Sequence, residues 1–270
     1  MSVATPPLAL TAADSHTELR RIVEHSILNA PRSLQRRIGP SEIGTPCDHC
    51  LAAKIAGWEE TSRGVAWLPF IGTCVHHEHE YVLTLDNAAR RVQGQPARWL
   101  VEHEVTVGTI NGVEITGSCD AYDTLTGTTV DWKIVGPSTL RSARRGPSPV
   151  YRAQAHLYGR GLVAQGHQVR HVSIVYLPRN SVNGWDDAVL WSEPYDETVA
   201  LTALARADRI ARNLTAVELV GGATARDDYI RTLPREERCY SCARYPDAPV
   251  GSTTPGHRPQ GSDLDGLLLP

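Results

Sequence analysis

The chain has 270 residues, 21% of them charged, and a formal net charge of -3. That length allows a sizeable core, as one large domain or one domain with an appendage. The charge excludes a globally basic nucleic-acid binder, so any such affinity must come from a local patch. No apolar run approaches the roughly 20 residues needed to span a bilayer. Met1 to Ala13 lacks a charged segment followed by an apolar one, so a cytoplasmic protein with no membrane association is expected.

Taken in order, Ser15-x-x-Glu18 reads as a capping box, with Leu19, Ile22, Val23 and Ile27 following at helical spacing. A Pro/Gly-rich stretch leads to Ser41-Glu42-Ile43-Gly44-Thr45-Pro46-Cys47-Asp48-His49-Cys50, then to an Ala-rich helical segment ending near Ile55. Gly72 to Asp86 predicts another helix. From Trp99 the pattern turns to strands: Trp99–Val107, a hairpin at Asn111-Gly112, Val113–Asp123, a turn at Gly127, then Thr128–Val135. Ser148 to Gln165 predicts a helix, Val169 to Leu177 a β-branched strand, and Glu197 to Val220 an Ala- and Arg-rich helix. Residues 246–270 are rich in Pro, Gly, Ser and Asp and are expected to be disordered. The order argues an α/β fold with a mixed sheet. It divides the chain into an N-terminal helical segment (1–40), a main domain (41–245) and a tail (246–270).

Lys133 is one of two lysines against twenty-five arginines. It stands two residues after Asp131, so in a strand both side chains leave the same face. A lysine is a compact point charge able to orient a water or neutralise a phosphate oxygen, whereas arginine presents a planar fork. A surface Asp/Lys pair is the alternative. The preceding strand carries Gly117-Ser118-Cys119-Asp120, so two neighbouring strands can bring Asp120 and Asp131 to one sheet edge beside Lys133. Paired carboxylates with a lysine suit a hard divalent cation and a phosphodiester. His76 and Glu80 lie one helical turn apart, and a histidine nitrogen makes Mn²⁺ at least as acceptable as Mg²⁺. Gln154 and Tyr158 are likewise one turn apart and face the strand before them. His77-Glu78-His79 has the wrong spacing for a zinc-protease helix, leaving His77 and His79 as exposed helix residues. Cys74 and Cys119 read as small buried hydrophobes, and Asp123 as a turn residue. Arg141, Arg144 and Arg145 fall in a Gly/Pro-bounded loop, where they would either grip phosphates or be solvated.

In that order, Gly72…His76…Glu80, Gly117-x-x-Asp120, Asp131-x-Lys133 and Gln154-x-x-x-Tyr158 resemble the RecB-like branch of the PD-(D/E)XK nuclease superfamily, over roughly residues 41 to 245. The resemblance implies a restriction-endonuclease-like core, a mixed central sheet flanked by helices. It implies Mg²⁺ or Mn²⁺ held by His76, Asp120, Asp131, the backbone carbonyl of Ile134 and, as a second-metal or neighbouring group, Glu80. Asp120, Asp131 and Lys133 would be catalytic. Gln154 and Tyr158 would contact DNA or hold Lys133, with Arg144 and Arg145 on the DNA backbone.

Cys47-x-x-Cys50 and Cys239-x-x-Cys242 flank this core. Two such turns complete a four-thiolate metal site if the fold brings the ends together, and a redox pair is the alternative. Ser41-Glu42-Ile43-Gly44…Cys47 looks like the N-terminal segment of RecB-like exonucleases of the CRISPR-associated and phage type, which carry a cysteine-bound iron–sulfur cluster. Their commoner arrangement has one N-terminal and three C-terminal cysteines, whereas this chain has two and two. The resemblance implies a [4Fe–4S] cluster, with [2Fe–2S] or Zn²⁺ as alternatives, joining the N- and C-terminal ends. The implied activity is metal-dependent exonuclease action on linear or single-stranded DNA, in recombination, repair or CRISPR-type processing. A structure-specific endonuclease and a non-catalytic DNA-binding module are the alternatives. A helicase, an annealing protein or CRISPR adaptation proteins would be associates, in the cytoplasm of a bacterial host if the gene is phage-encoded.

Overall fold

The structure is a computed structural model described over residues 11–29, 38–61, 65–237 and 239–245. The tail at 246–270 lies outside the described residues. Backbone contacts divide the chain into two units, residues 1–35 with 62–71 and residues 36–61 with 72–270. No helix among the described residues is long and apolar enough to cross a membrane.

The smaller unit contains α1 (Ala12–Leu28). Its capping box is Thr11 with Asp14, not Ser15 with Glu18: Asp14 N–H donates to Thr11 Oγ1 at 3.3 Å, and Thr11 N–H donates to Asp14 Oδ2 at 2.7 Å. Thr11-x-x-Asp14 offers the same reciprocal pairing one turn earlier, and lengthening a nucleated helix adds a hydrogen bond per residue fixed. Glu18 instead pairs with Arg21.

The larger unit is built on a five-stranded sheet in sequential order: β1 (Trp99–Ile110), β2 (Val113–Asp123), β3 (Thr128–Val135), β4 (His171–Pro178) and β5 (Val189–Pro194). All neighbours are antiparallel except β3 and β4. That parallel step requires a crossover, supplied by α5 (Pro137–Ala143) and α6 (Pro149–Ala164). The mixed central sheet flanked by helices expected from the sequence is the fold formed. α6 packs against β1 to β4 and is itself covered by α2 (Pro40–Ile43) and α7 (Glu197–Thr232). Further along the sheet, α4 (Trp67–Val92) sets Val75 and Leu83 against Ala121, Trp132, Val175 and Leu177. α3 (Asp48–Ile55) buries all but Asp48 and Lys54 of its eight residues, largely against α7.

Three features depart from expectation. The segment after β3 is a short helix, with Pro137 at its first position where its missing N–H costs nothing. β5 is an edge strand with alternating burial, too short and too broken by turn residues to announce itself. α7 continues beyond Val220 to Thr232, with Gly222 at φ 74° marking a kink where the expected end lay. A residue with a Cβ rarely adopts that conformation, so the helix breaks and restarts there.

Candidate active site and cysteine centre

β2 and β3 pair at Asp123↔Thr128, Tyr122↔Thr129 and Ala121↔Val130, then part. The next positions in register are Asp120 and Asp131. In place of a ladder bond, Trp132 N–H donates to Asp120 Oδ2 at 3.0 Å. The strands thus fork where two carboxylates meet, and both are buried. On the β3 side, Lys133 Nζ lies 2.7 Å from Asp131 Oδ2 and donates to Gln154 Oε1 on α6 at 3.0 Å. Gln154 Nε2 donates in turn to the Tyr158 hydroxyl at 3.2 Å, and Lys133 stands 5.0 Å from the centre of the Tyr151 ring. Gln154 and Tyr158 are both buried, Gln154 in direct contact with Lys133 and Tyr158 behind it. Gly117 makes this closure possible, because a Cβ there would lie 2.8 Å from Pro40 Cγ and 3.4 Å from Tyr158 Cε1.

On the β2 side, His76 Nδ1 lies 3.5 Å from Asp120 Oδ1 and 3.9 Å from Glu102 Oε1. His76, Glu102 and Asp120 present ligand atoms within 4.8 Å of one another. Sequence reasoning missed Glu102. It sits in β1 directly across from Asp120, between the pairs Val101↔Ala121 and His103↔Cys119. Its φ is 43°, a positive value that residues other than glycine seldom adopt. Burial opposes a charged imidazole at His76, but the carboxylates of Asp120 and Glu102 outweigh it and raise the pKa to about 9. Burial raises Asp131 to about 6 despite the adjacent Lys133 ammonium. One nitrogen and several crowded carboxylate oxygens, with negative charge in excess, are a donor set that fits Mn²⁺ or Mg²⁺. Asp131 stands apart from the three-residue group, tied to Lys133. Glu80, half-buried on the turn of α4 after His76, is also outside it.

The four paired cysteines converge. Cys47 Sγ is 3.6 Å from Cys242 Sγ, and Cys50 Sγ is 3.4 Å from Cys242 Sγ and 3.7 Å from Cys239 Sγ. They join segments nearly two hundred residues apart and are all free thiols. Burial raises Cys50 strongly and pushes Cys242 up to about 11. At Cys47 burial is outweighed by backbone N–H groups of Cys50 and Glu236, which lower it. Such a set cannot ionise together without a cation. His49, fully buried, adds a nitrogen beside Cys47, Cys50 and Cys242.

Two solved structures overlap the chain. No family model and no curated protein matches it. One structure is an alkaline exonuclease, LHK-Exo from Laribacter hongkongensis, at 12% identity and TM-score 0.41, covering 73% of this chain and 93% of that one. The other is LHK-Exo in complex with dAMP, at 15% identity and TM-score 0.41, covering 67% and 89%. Overlap this loose does not by itself assign an activity.

Of the remaining residues, Arg144 and Arg145 are exposed just past α5. Arg141 is on that helix and not in a loop. Cys119 is buried as expected, but Cys74 is exposed, since its position on α4 turns away from the sheet-facing stripe of Val75 and His79. His77 is exposed, whereas His79 is half-buried with its ring edge-on to Trp132 at 4.9 Å. Asp123 is the last residue of β2 and not in the turn itself, but its carboxylate holds that turn, accepting from both arms of Arg98, Leu125 N–H and Thr126 Oγ1.

Proposed function

We propose that the chain is a divalent-metal-dependent nuclease that hydrolyses phosphodiester bonds of DNA, acting as an exonuclease on linear or single-stranded substrates. The fork between β2 and β3 carries this reading, because it sets Asp120 and Asp131 opposite each other with Lys133 held between Asp131 and Gln154. His76, Glu102 and Asp120 would hold the cation, with Asp131 and the Ile134 carbonyl as the adjoining oxygen donors. The ion would polarise the phosphate and lower the pKa of a bound water.

The chain's own groups supply the rest. Lys133 orients the attacking water and offsets charge that builds on the phosphate oxygens. Its ammonium cannot swing away, since Asp131, Gln154 and the Tyr151 ring hold it on three sides. The water gives up a proton to solvent as its oxygen bonds to phosphorus, the bond from phosphorus to the leaving sugar oxygen breaks, and that oxygen takes up a proton from solvent. Arg144 and Arg145, exposed just past α5, would grip backbone phosphates by charge and forked hydrogen bonds. The biological setting is recombination, repair or CRISPR-type processing, with the cysteine centre tying the unit together and taking no part in cleavage.

The test is digestion of end-labelled linear and circular DNA, single- and double-stranded, with Mg²⁺, Mn²⁺ or EDTA, beside Lys133→Ala. Expected is metal-dependent loss of linear DNA, reduced at least about 100-fold in the variant. Cutting of circles would make the enzyme an endonuclease. DNA binding without cleavage, indifferent to divalent metal, would overturn the reading in favour of a binding module.

A further inference from the structure

We infer that Cys47, Cys50, Cys239 and Cys242 form a cage for one tetrahedral metal ion of the zinc class, not for an iron–sulfur cluster. The spacing of the sulfurs decides this. In a mononuclear tetrahedral site with metal–sulfur bonds of about 2.3 Å, ligand sulfurs stand about 3.8 Å apart. The contacts observed are 3.6 Å for Cys47–Cys242, 3.4 Å for Cys50–Cys242 and 3.7 Å for Cys50–Cys239. These three of the six edges are close to that value.

A cluster imposes a different arrangement. In [4Fe–4S] each thiolate binds its own iron and radiates outward, so the inorganic core separates every sulfur from the others. In [2Fe–2S] the thiolates fall into two pairs, one on each iron, with the bridging sulfides between the pairs. Here the contacts run as a chain from Cys47 to Cys242 to Cys50 to Cys239. No division of these four residues into two pairs avoids a direct contact across the divide. Even the best division, Cys47 with Cys242 and Cys50 with Cys239, leaves Cys50 and Cys242 at 3.4 Å. Contacts this short leave no room for inorganic sulfide between Cys47 and Cys242, Cys242 and Cys50, or Cys50 and Cys239.

A rival donor set remains: Cys47, His49, Cys50 and Cys242 have ligand atoms all within 4.8 Å of one another, whereas Cys239 joins the group through its contact with Cys50. Hydrogen bonding assigns His49 another part. Its Nε2 lies 3.2 Å from an Arg235 guanidinium nitrogen. A guanidinium has donors and no lone pair to offer, so Nε2 must accept. The ring proton of the neutral imidazole is then on Nδ1, 3.9 Å from Cys50 Sγ. His49 is thus a positioning residue that directs an N–H at the Cys50 thiolate and steadies its charge. Cys239 is the fourth ligand.

Metal and inorganic sulfide are measured on the full chain purified without oxygen. Expected is about one zinc per chain with no sulfide. Iron with matching sulfide, or a folded chain with no metal, would overturn the inference. Exchange of Co²⁺ into the unmodified chain should give the visible spectrum of tetrahedral four-thiolate cobalt, and a spectrum of fewer sulfurs would count against it. His49→Ala should keep its ion but bind it about 10–100-fold more weakly, whereas Cys239→Ser should lose it. The reverse pattern would make His49 the ligand and overturn the four-thiolate set. None of these measurements depends on DNA cleavage, so a failed metal assay and an absent nuclease activity are separate results.

Discussion

At Glu102 a non-glycine residue sits at φ 43° inside a strand, a conformation that costs on the order of 1–3 kcal/mol and persists only where its surroundings enforce it. The same backbone places its carboxylate beside His76 and across from Asp120. Glu102→Gln should therefore lower cleavage on the order of 100-fold without lowering the melting temperature. Unchanged turnover would remove Glu102 from the metal site. Asp123 gives the opposite kind of residue, acidic and buried but structural. Burial acts to raise its pKa, and the fork of Arg98 with Thr126 and Leu125 N–H brings it below the usual value. A depressed carboxylate contributes stability that is complete above its unfolded pKa, near 3.9, and is lost as pH falls through the lower folded value. Denaturation of Asp123→Asn beside the parent should show a stability gap at pH 6 that closes below about pH 4. A gap that stays constant with pH would mean the ion pair contributes nothing.

Elements meet at close approaches that small residues permit. At Gly44, just after α2, an added Cβ would lie 2.6 Å from Ala153 Cβ and 2.9 Å from Val150 Cα on α6. Neither neighbour is the end of a flexible side chain, so the backbone itself must move. Gly44→Ala should cost about 1–3 kcal/mol, read as a fall of several degrees in melting temperature. Because α2 leads directly to Cys47 and α6 carries Gln154, the variant should also weaken metal retention. A variant as stable as the parent would show that α2 does not seat tightly on α6. The hairpin of β1 and β2 makes a second point. Its Asn111-Gly112 turn pairs Ile110 with Val113, and plain counting back from there would set Asp120 opposite His103. A bulge between Thr106 and Gly108 shifts the register by one, and Glu102 takes that place.

Across the whole molecule the cysteine centre closes a loop of nearly two hundred residues, Cys47 and Cys242 being 195 positions apart. A cross-link over that span removes about 5 kcal/mol of chain entropy from the unfolded state. Other contacts span the same junction. Trp58 Nε1 donates to Asp227 Oδ1 at 2.8 Å, Thr61 N–H to the Arg244 carbonyl at 2.8 Å, and the Arg206 guanidinium engages Asp48. Cys239→Ser should destabilise the chain by several kcal/mol, since a structural metal contributes binding energy directly to folding. Calorimetry of the variant and of the chelator-treated parent should agree. A soluble variant with unchanged melting temperature and metal content would defeat that expectation.

Short-range periodicity was enough to place Asp131 and Lys133 on one face of β3, Gln154 and Tyr158 on one face of α6, and His76 on α4. These relations are fixed by the repeat of a strand or a helix and need no knowledge of the rest of the chain. The hairpin and the α/β layering followed from equally local patterns. What depended on distant residues was not legible. Glu102 entered the site only through a one-residue bulge, and β5 became a strand only because β4 offered its edge. The contact of His49 Nε2 with the Arg235 guanidinium spans 186 positions. Four cysteines in two local turns pointed to a metal site, but the three contacts of 3.4 to 3.7 Å between their sulfurs exist only once both ends of the chain have been packed against α7 and each other.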